Sequence, residues 1–303
     1  MKTGTRPLES REEKGVGKTM KESTLIGLSI LIYLGSWLFY LIYAIVRHRL
    51  SGRIGDLLAL AGLLAHTAAI ASRWMESHRQ SIGHAPFSNL YESMVFFSWT
   101  IVLICLVSLR RLQSRLLGAV VMPMAFLALA STSLMDRQIQ PLVPALQSNW
   151  LTAHVITCFL GYAAFAVAFG ANLLYLGSAS GKGKGKGKRR TGGALWGLMP
   201  APEVLDEFSY RIIAVGFPML TLGIITGAAW ANSAWGSYWS WDPKETWSLI
   251  VWFIYAGYLH ARIVRGWRGR RSAWLSVIGF CATLFCYLGV NLLLSGLHSY
   301  ATG

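Results

Sequence analysis

Residues 150–177 read WLTAHVITCFLGYAAFAVAFGANLLYLG, twenty-eight positions without one Lys, Arg, Asp or Glu. A helix of about 20 residues already crosses the hydrocarbon core of a bilayer, so this run spans one with length to spare. Hydrocarbon offers the backbone no water to bond, which leaves the α-helix as the way to thread a single such segment. Seven further runs of the same kind lie at about 25–46, 54–74, 90–109, 116–134, 208–230, 245–264 and 273–296. The sequence therefore predicts an all-α integral membrane protein of about eight transmembrane helices.

The composition agrees. Of 303 residues, 54% are hydrophobic and 14% charged, against about a quarter charged in a soluble domain. The net charge of +15 does not read as a nucleic-acid surface, because the basic residues sit in short loops beside apolar runs. No internal repeat is visible, and the first span is too long for a signal peptide.

Counting Lys and Arg orients the chain. With the N-terminus outside, the inner loops carry seventeen basic residues: Arg47, Arg49, Arg53; Arg110, Arg111, Arg115; Lys182 to Arg190; and Arg262 to Arg271. The outer loops after the first span carry four: Arg73, Arg79, Arg137 and Lys244. Basic loops stay in the cytoplasm, so the expectation is N-out and C-out. The N-terminal Lys and Arg residues oppose it, and Met20-Lys21-Glu22 reads as a start in its own right. One membrane domain results, with four stretches. Residues 1–24 are expected to be a disordered tail, and 25–178 to hold helices one to five. Residues 179–206, with GKGKGKGKRR at 181–190, read as a flexible basic cytoplasmic linker. Residues 207–303 hold helices six to eight.

Six of the thirteen tryptophans fall between Trp230 and Trp252. The densest part, WGSYWSWDPKETW at 235–247, lies in an outer loop by this topology. An interfacial aromatic belt explains Trp230, Trp247 and Trp252. The packing of Trp235, Tyr238, Trp239 and Trp241 into seven positions also suits a rigid shelf for a large planar ligand. Composition alone does not choose between the two. Asp242-Pro243-Lys244-Glu245 reads as an N-cap, a proline at the first helical position and a capping box. Asn89-Leu90-Tyr91-Glu92 repeats that pattern.

Ionisable groups at membrane depth are costly and point to function. His154 opens the fifth span and His298 follows the eighth, both at the outer end and on the side of the tryptophan loop. Together these are the parts of a haem site, with imidazoles for the iron and aromatics for the ring. His260 lies in the inner half of the seventh span, where iron ligation and a backbone hydrogen bond are both open. His66, His84, His78 and His48 read as non-ligating. The cysteines Cys105, Cys158, Cys281 and Cys286 form no C-x-x-C and read as small buried hydrophobes, without metal-ligand spacing to a histidine.

The motifs resemble a known family. WGSYWSWDPKETW looks like the WWD signature of haem-handling proteins in cytochrome c maturation. GHAPFSNLYES at 83–93, WLTAHV at 150–155, YLHAR at 258–262 and GLHSY at 296–300 are similar to the CcsA (ResC) branch. The chain is too long and has too many spans for CcmC, and is far too short for CcmF. The resemblance implies a subunit of a System II cytochrome c synthase, of haem-lyase type, in the bacterial cytoplasmic membrane with its active site on the periplasmic face. It would bind haem b as substrate and present it to the C-x-x-C-H segment of apocytochrome c. Its partner would be a CcsB (ResB)-type membrane protein. By the same resemblance His154 and His298 would be the outer iron ligands and His260 a ligand within the membrane. Trp235, Gly236, Tyr238, Trp239, Trp241 and Asp242 would contact the haem. No Ser-His-Asp or paired-carboxylate constellation appears, which fits chemistry done by positioning. A haem exporter or chaperone would use the same residues.

Overall fold

The computed structural model describes residues 9–180 and 198–294. Its elements are α1 (Glu9–Val46), α2 (Arg49–Arg79), α3 (Leu90–Leu112), α4 (Leu116–Ser131), α5 (Asn149–Ser180), α6 (Pro202–Trp235), α7 (Pro243–Ile263), α8 (Arg270–Leu284) and α9 (Val290–Leu293). A π-helical turn, Phe285–Gly289, joins α8 to α9. No strand occurs among the described residues. Among the described residues seven helices are long and apolar enough to cross a membrane, with α8 to α9 forming one span, Arg270–Leu293. The seventh span expected from sequence, α7, is a helix of 21 residues but does not meet that measure. Its ends are polar (Lys244, Glu245, His260, Arg262), and in its centre Trp247, Trp252, Phe253, Tyr255 and Tyr258 stand among the aliphatic residues.

Helix α5 is the hub, packed on α3, α4, α6 and α8, while α1 lies along α2. Close approach along α5 and α6 rests on glycine. A Cβ on Gly216 would lie 2.8 Å from the Ala164 Cβ, and one on Gly161 3.1 Å from the Gly216 carbonyl oxygen. Small residues at such crossings let helix backbones meet, which is how membrane helices gain packing energy without a hydrophobic drive between them.

At one end of the bundle a buried ion-pair cluster ties four segments together. Arg73, 2% exposed, donates from Nε to Glu92 Oε1 at 2.7 Å and from Nη1 to Glu22 at 3.2 Å and to the Arg137 carbonyl at 3.0 Å. Its guanidinium stacks 4.9 Å from the Tyr91 ring centroid. Glu92 also accepts from Ser88 N and Oγ, and its own amide donates to the Asn89 side chain. Asn89 caps α3 as expected, but the Glu92 carboxylate bonds the Ser88 amide instead of the Asn89 amide, so the capping box is not closed, and it pairs with Arg73 as well. Arg73 is thus an internal strut, although the topology count treated it as a loop residue. Residues 9–24, expected to be a disordered tail, continue α1, and Glu22 is fastened by Arg73 and by the Tyr91 hydroxyl at 3.1 Å.

The opposite end has its own pairs. Arg262 Nη1 donates to Asp206 at 2.6 Å, and Arg115 meets Asp56 at 2.7 Å. Both arginines belong to the inner-loop set, so part of that charge is structural.

Candidate functional site

His154 stands in the first turns of α5, where α6 passes close by. Its Nδ1 donates to the Gly223 carbonyl at 2.7 Å. That bond holds the tautomer in which Nε2 carries the lone pair, the form an imidazole needs to ligate a metal. Glycines at 223 and 227 on α6 make the seat. A Cβ at Gly227 would sit 2.6 Å from His154 Nδ1, and one at Gly223 would collide with Cys158 Sγ. The ring lies nearly parallel to Trp230, with centroids 6.1 Å apart and planes at 20°. Trp230 is itself locked, donating from Nε1 to the Ala145 carbonyl at 2.8 Å and meeting Trp235 edge-on at 5.0 Å.

Two cavities share His154. One, of about 270 Å³, is lined by Trp230, Trp235, Phe159 and Tyr287 among others; the second is lined by Tyr238, Trp239 and Glu245. Cys158, Tyr162 and Lys244 line both. Of the loop residues named from sequence, Trp235, Tyr238 and Trp239 therefore reach the histidine's surroundings. Gly236 ends α6 at φ +78, which glycine adopts without strain. Asp242 caps α7, accepting from the Lys244 amide, and Glu245 closes the capping box. Trp241 is 69% exposed at φ +60 and is absent from both linings, touching Trp239 edge-on at 5.8 Å.

Several residues of the site were passed over in the sequence. Cys158 follows His154 by four positions, one helical turn, and its thiol lies 3.7 Å from Nδ1; the expectation that no cysteine stands at metal-ligand spacing from a histidine overlooked this pair. Cys286 is buried on the π-turn, near the Tyr162 hydroxyl at 3.9 Å, whereas Cys281 is exposed rather than buried. The π-turn also carries Tyr287, whose hydroxyl pairs with Ser93 at 2.7 Å. Such single π-turns often mark functional positions in a helix. Lys244, counted as an outer-loop charge, turns inward and donates to Asn291 Oδ1 at 2.8 Å. Trp230 and Lys244 carried a signal, since both lie in the tryptophan-rich stretch. The glycine seat had none without knowing which helix α5 faces.

The other histidines separate from this group. His298 lies outside the described residues. His260 is exposed in the last turn of α7, about 25 Å along that helix from its first residue at 1.5 Å per residue, so the structure does not bring it to His154. His66 is fully buried between α1 and α2, with Nδ1 3.2 Å from the Tyr33 hydroxyl and no hydrogen-bond partner for Nε2 among the described residues. His84 faces the Ala85 and Gln140 carbonyls at 2.9 and 3.3 Å, and His78 the Trp74 carbonyl at 2.9 Å. No cluster of three or more His, Cys, Asp or Glu able to hold a metal ion occurs among the described residues. An oriented imidazole stacked on one indole and close to others suits a ligand that brings its own metal in an aromatic plane.

Fold and site together define a polytopic helical membrane protein with an imidazole-and-tryptophan cavity at one end of its bundle. Residues 87–298 match the family described as cytochrome c assembly protein. The chain is 42% identical to the cytochrome c biogenesis protein CcsA of Synechococcus sp. (strain WH7803), over 93% of this chain and 95% of that one. It is 44% identical to the protein of the same name from Synechococcus elongatus, over 78% and 84%. Among solved structures it resembles the cytochrome c heme lyase CcmF, with a TM-score of 0.67 and 19% identity over 89% of this chain. That likeness is one of fold, and the chain spans 46% of the CcmF length. The chain belongs to the CcsA family, within the cytochrome c assembly proteins, and its role is in cytochrome c maturation.

Proposed function

We propose that the chain binds haem b at the His154 cavity and presents it on the outer face of the bacterial cytoplasmic membrane, as the haem-handling subunit of a System II synthase. The observation that carries this reading is the His154 ring, set by the Gly223 carbonyl and stacked on Trp230. Both contacts orient an imidazole whose Nε2 can ligate iron. His298 supplies the second axial ligand, and Trp235 and Trp239 flank the ring. His260, remote on α7, belongs to a separate step of haem passage through the membrane. A CcsB-type protein completes the synthase.

The haem is the substrate, and the bond-making groups are its vinyls and the apocytochrome thiols. Each thiol adds across one vinyl to give a thioether, with the thiol hydrogen going to the neighbouring carbon and no leaving group. This chain need supply no nucleophile. It holds the haem in register with the C-x-x-C-H segment and keeps water and stray thiols from the reacting edge, which is catalysis by proximity and orientation. His154→Ala should reduce holocytochrome formation to background in cells co-expressing the partner, and added imidazole should restore part of it. The purified variant should lose the low-spin haem bands of the wild type. Unchanged spectra would overturn the assignment. Haem binding without thioether formation in a complete reconstitution would make the chain an exporter or chaperone instead.

A further inference from the structure

We propose that Lys244 and Trp239 form a carboxylate-recognition subsite in the cavity beside His154, which holds a propionate of the bound porphyrin. This rests on the haem-binding reading above and extends it from the iron to the edge of the ring. Lys244 is the single Lys or Arg among the described residues lining either cavity at His154. An ammonium at one end of a membrane bundle, in a cavity it shares with aromatic side chains, His154 and the Glu245 carboxylate, is expensive to keep, and such charges mark functional sites. Its position is constructed. Asn291 Nδ2 donates to the Tyr287 carbonyl at 2.7 Å, which turns Oδ1 toward Lys244 Nζ at 2.8 Å.

The two carboxylates nearest in sequence, Asp242 and Glu245, have tasks of their own in the backbone. Glu245 accepts from Ser240 N and Oγ and from Asp242 N, and Asp242 accepts from the Lys244 amide. They serve the start of α7, where a helix N-terminus stabilises negative charge. The second donor is independent of the first. Trp239 lines the same cavity as Lys244, and its Nε1–H is enclosed with no acceptor among the described residues. An enclosed N–H without a partner costs on the order of one hydrogen bond's desolvation, and an incoming anion would relieve it. A cation and an N–H donor beside one ligating imidazole match a ligand with a metal at its centre and carboxylates at its rim.

The test compares iron protoporphyrin with its dimethyl ester, which keeps the metal and the ring and removes both negative charges. Each is titrated by absorbance into the purified full-length protein and into Lys244→Met, Lys244→Arg and Trp239→Phe. Wild type should bind the free acid roughly tenfold to a hundredfold more tightly than the ester, the range of a charge-assisted hydrogen bond. Lys244→Met should bind both at about the ester's affinity, Lys244→Arg should keep the preference, and Trp239→Phe should lose part of it. A wild type without preference overturns the subsite and leaves the haem reading standing, as does a Lys244→Met protein that discriminates like wild type. If wild type binds neither porphyrin, the haem reading itself fails. Should Lys244→Met not fold, the wild-type comparison and Trp239→Phe still decide.

Discussion

At the scale of single residues, the two ends of the bundle treat charge differently from a soluble protein. Arg73 reaches Glu22, Glu92 and two backbone carbonyls in a nearly closed environment. Removing one partner of such a buried pair costs about 3–5 kcal/mol, because the remaining charge stays desolvated. Glu92→Leu should therefore lower the thermal unfolding midpoint in detergent markedly, and the double variant Arg73→Leu, Glu92→Leu should recover part of that loss. Equal midpoints for wild type and Glu92→Leu would show the pair to be inert. The tryptophans divide in the same way. Trp239 lines the cavity while Trp241 faces outward, so Trp239→Ala should reduce haem content several-fold and Trp241→Ala should reduce it far less. Equal losses would place both indoles against the ring.

At the scale of elements, the site depends on how closely α6 approaches α5. The seat beneath His154 is a pair of glycines one turn apart, and a side chain at Gly227 would push on the imidazole itself. Overpacking of this kind costs about 1–3 kcal/mol, small enough for the bundle to survive and large enough to tilt the ring. Gly227→Ala is expected to insert normally and to show a weakened haem spectrum. Gly257→Ala, where an added Cβ meets nothing within 4 Å, should behave as wild type. If the two variants bind haem alike, the close crossing has no bearing on the site. The start of α7 was readable beforehand: Asp242, Pro243 and Glu245 form the capping box their spacing announces. The π-turn at Phe285–Gly289 was not, since no residue type specifies a single i→i+5 turn.

For the whole molecule, topology governs every functional statement. The surplus of Lys and Arg in alternate loops survives the finding that Arg73, Lys244, Arg115 and Arg262 are engaged in ion pairs or hydrogen bonds, because those four come equally from both sides. The hydrogen bonds also gather the starts of α3, α5 and α7 and the ends of α2, α6 and α8 at one end of the bundle, as alternating crossings require. A fluorescent reporter active only in the cytoplasm, fused after Lys188, should be bright. Fused after Gly303 it should be dark, and a periplasm-active phosphatase there should work. The reverse pattern at both positions would move the His154 cavity to the cytoplasmic face and overturn the proposal that it presents haem outside.

Hydropathy alone determined that this is a helical membrane protein and approximately where each helix runs, because lipid leaves the backbone one way to satisfy its amides in each apolar stretch. Local chemistry alone determined the caps at Asn89 and Asp242, since a cap involves residues three or four apart. Which helices touch was not written in that pattern: an apolar face packs equally well on lipid or on another helix. Only the tertiary structure decided that Gly223 and Gly227 cradle His154, that Trp230 stacks on it, and that Lys244 turns inward while Trp241 turns out. Each of those depends on residues distant in the chain, and so on the packing of α5 against α6 and of α7 against the π-turn.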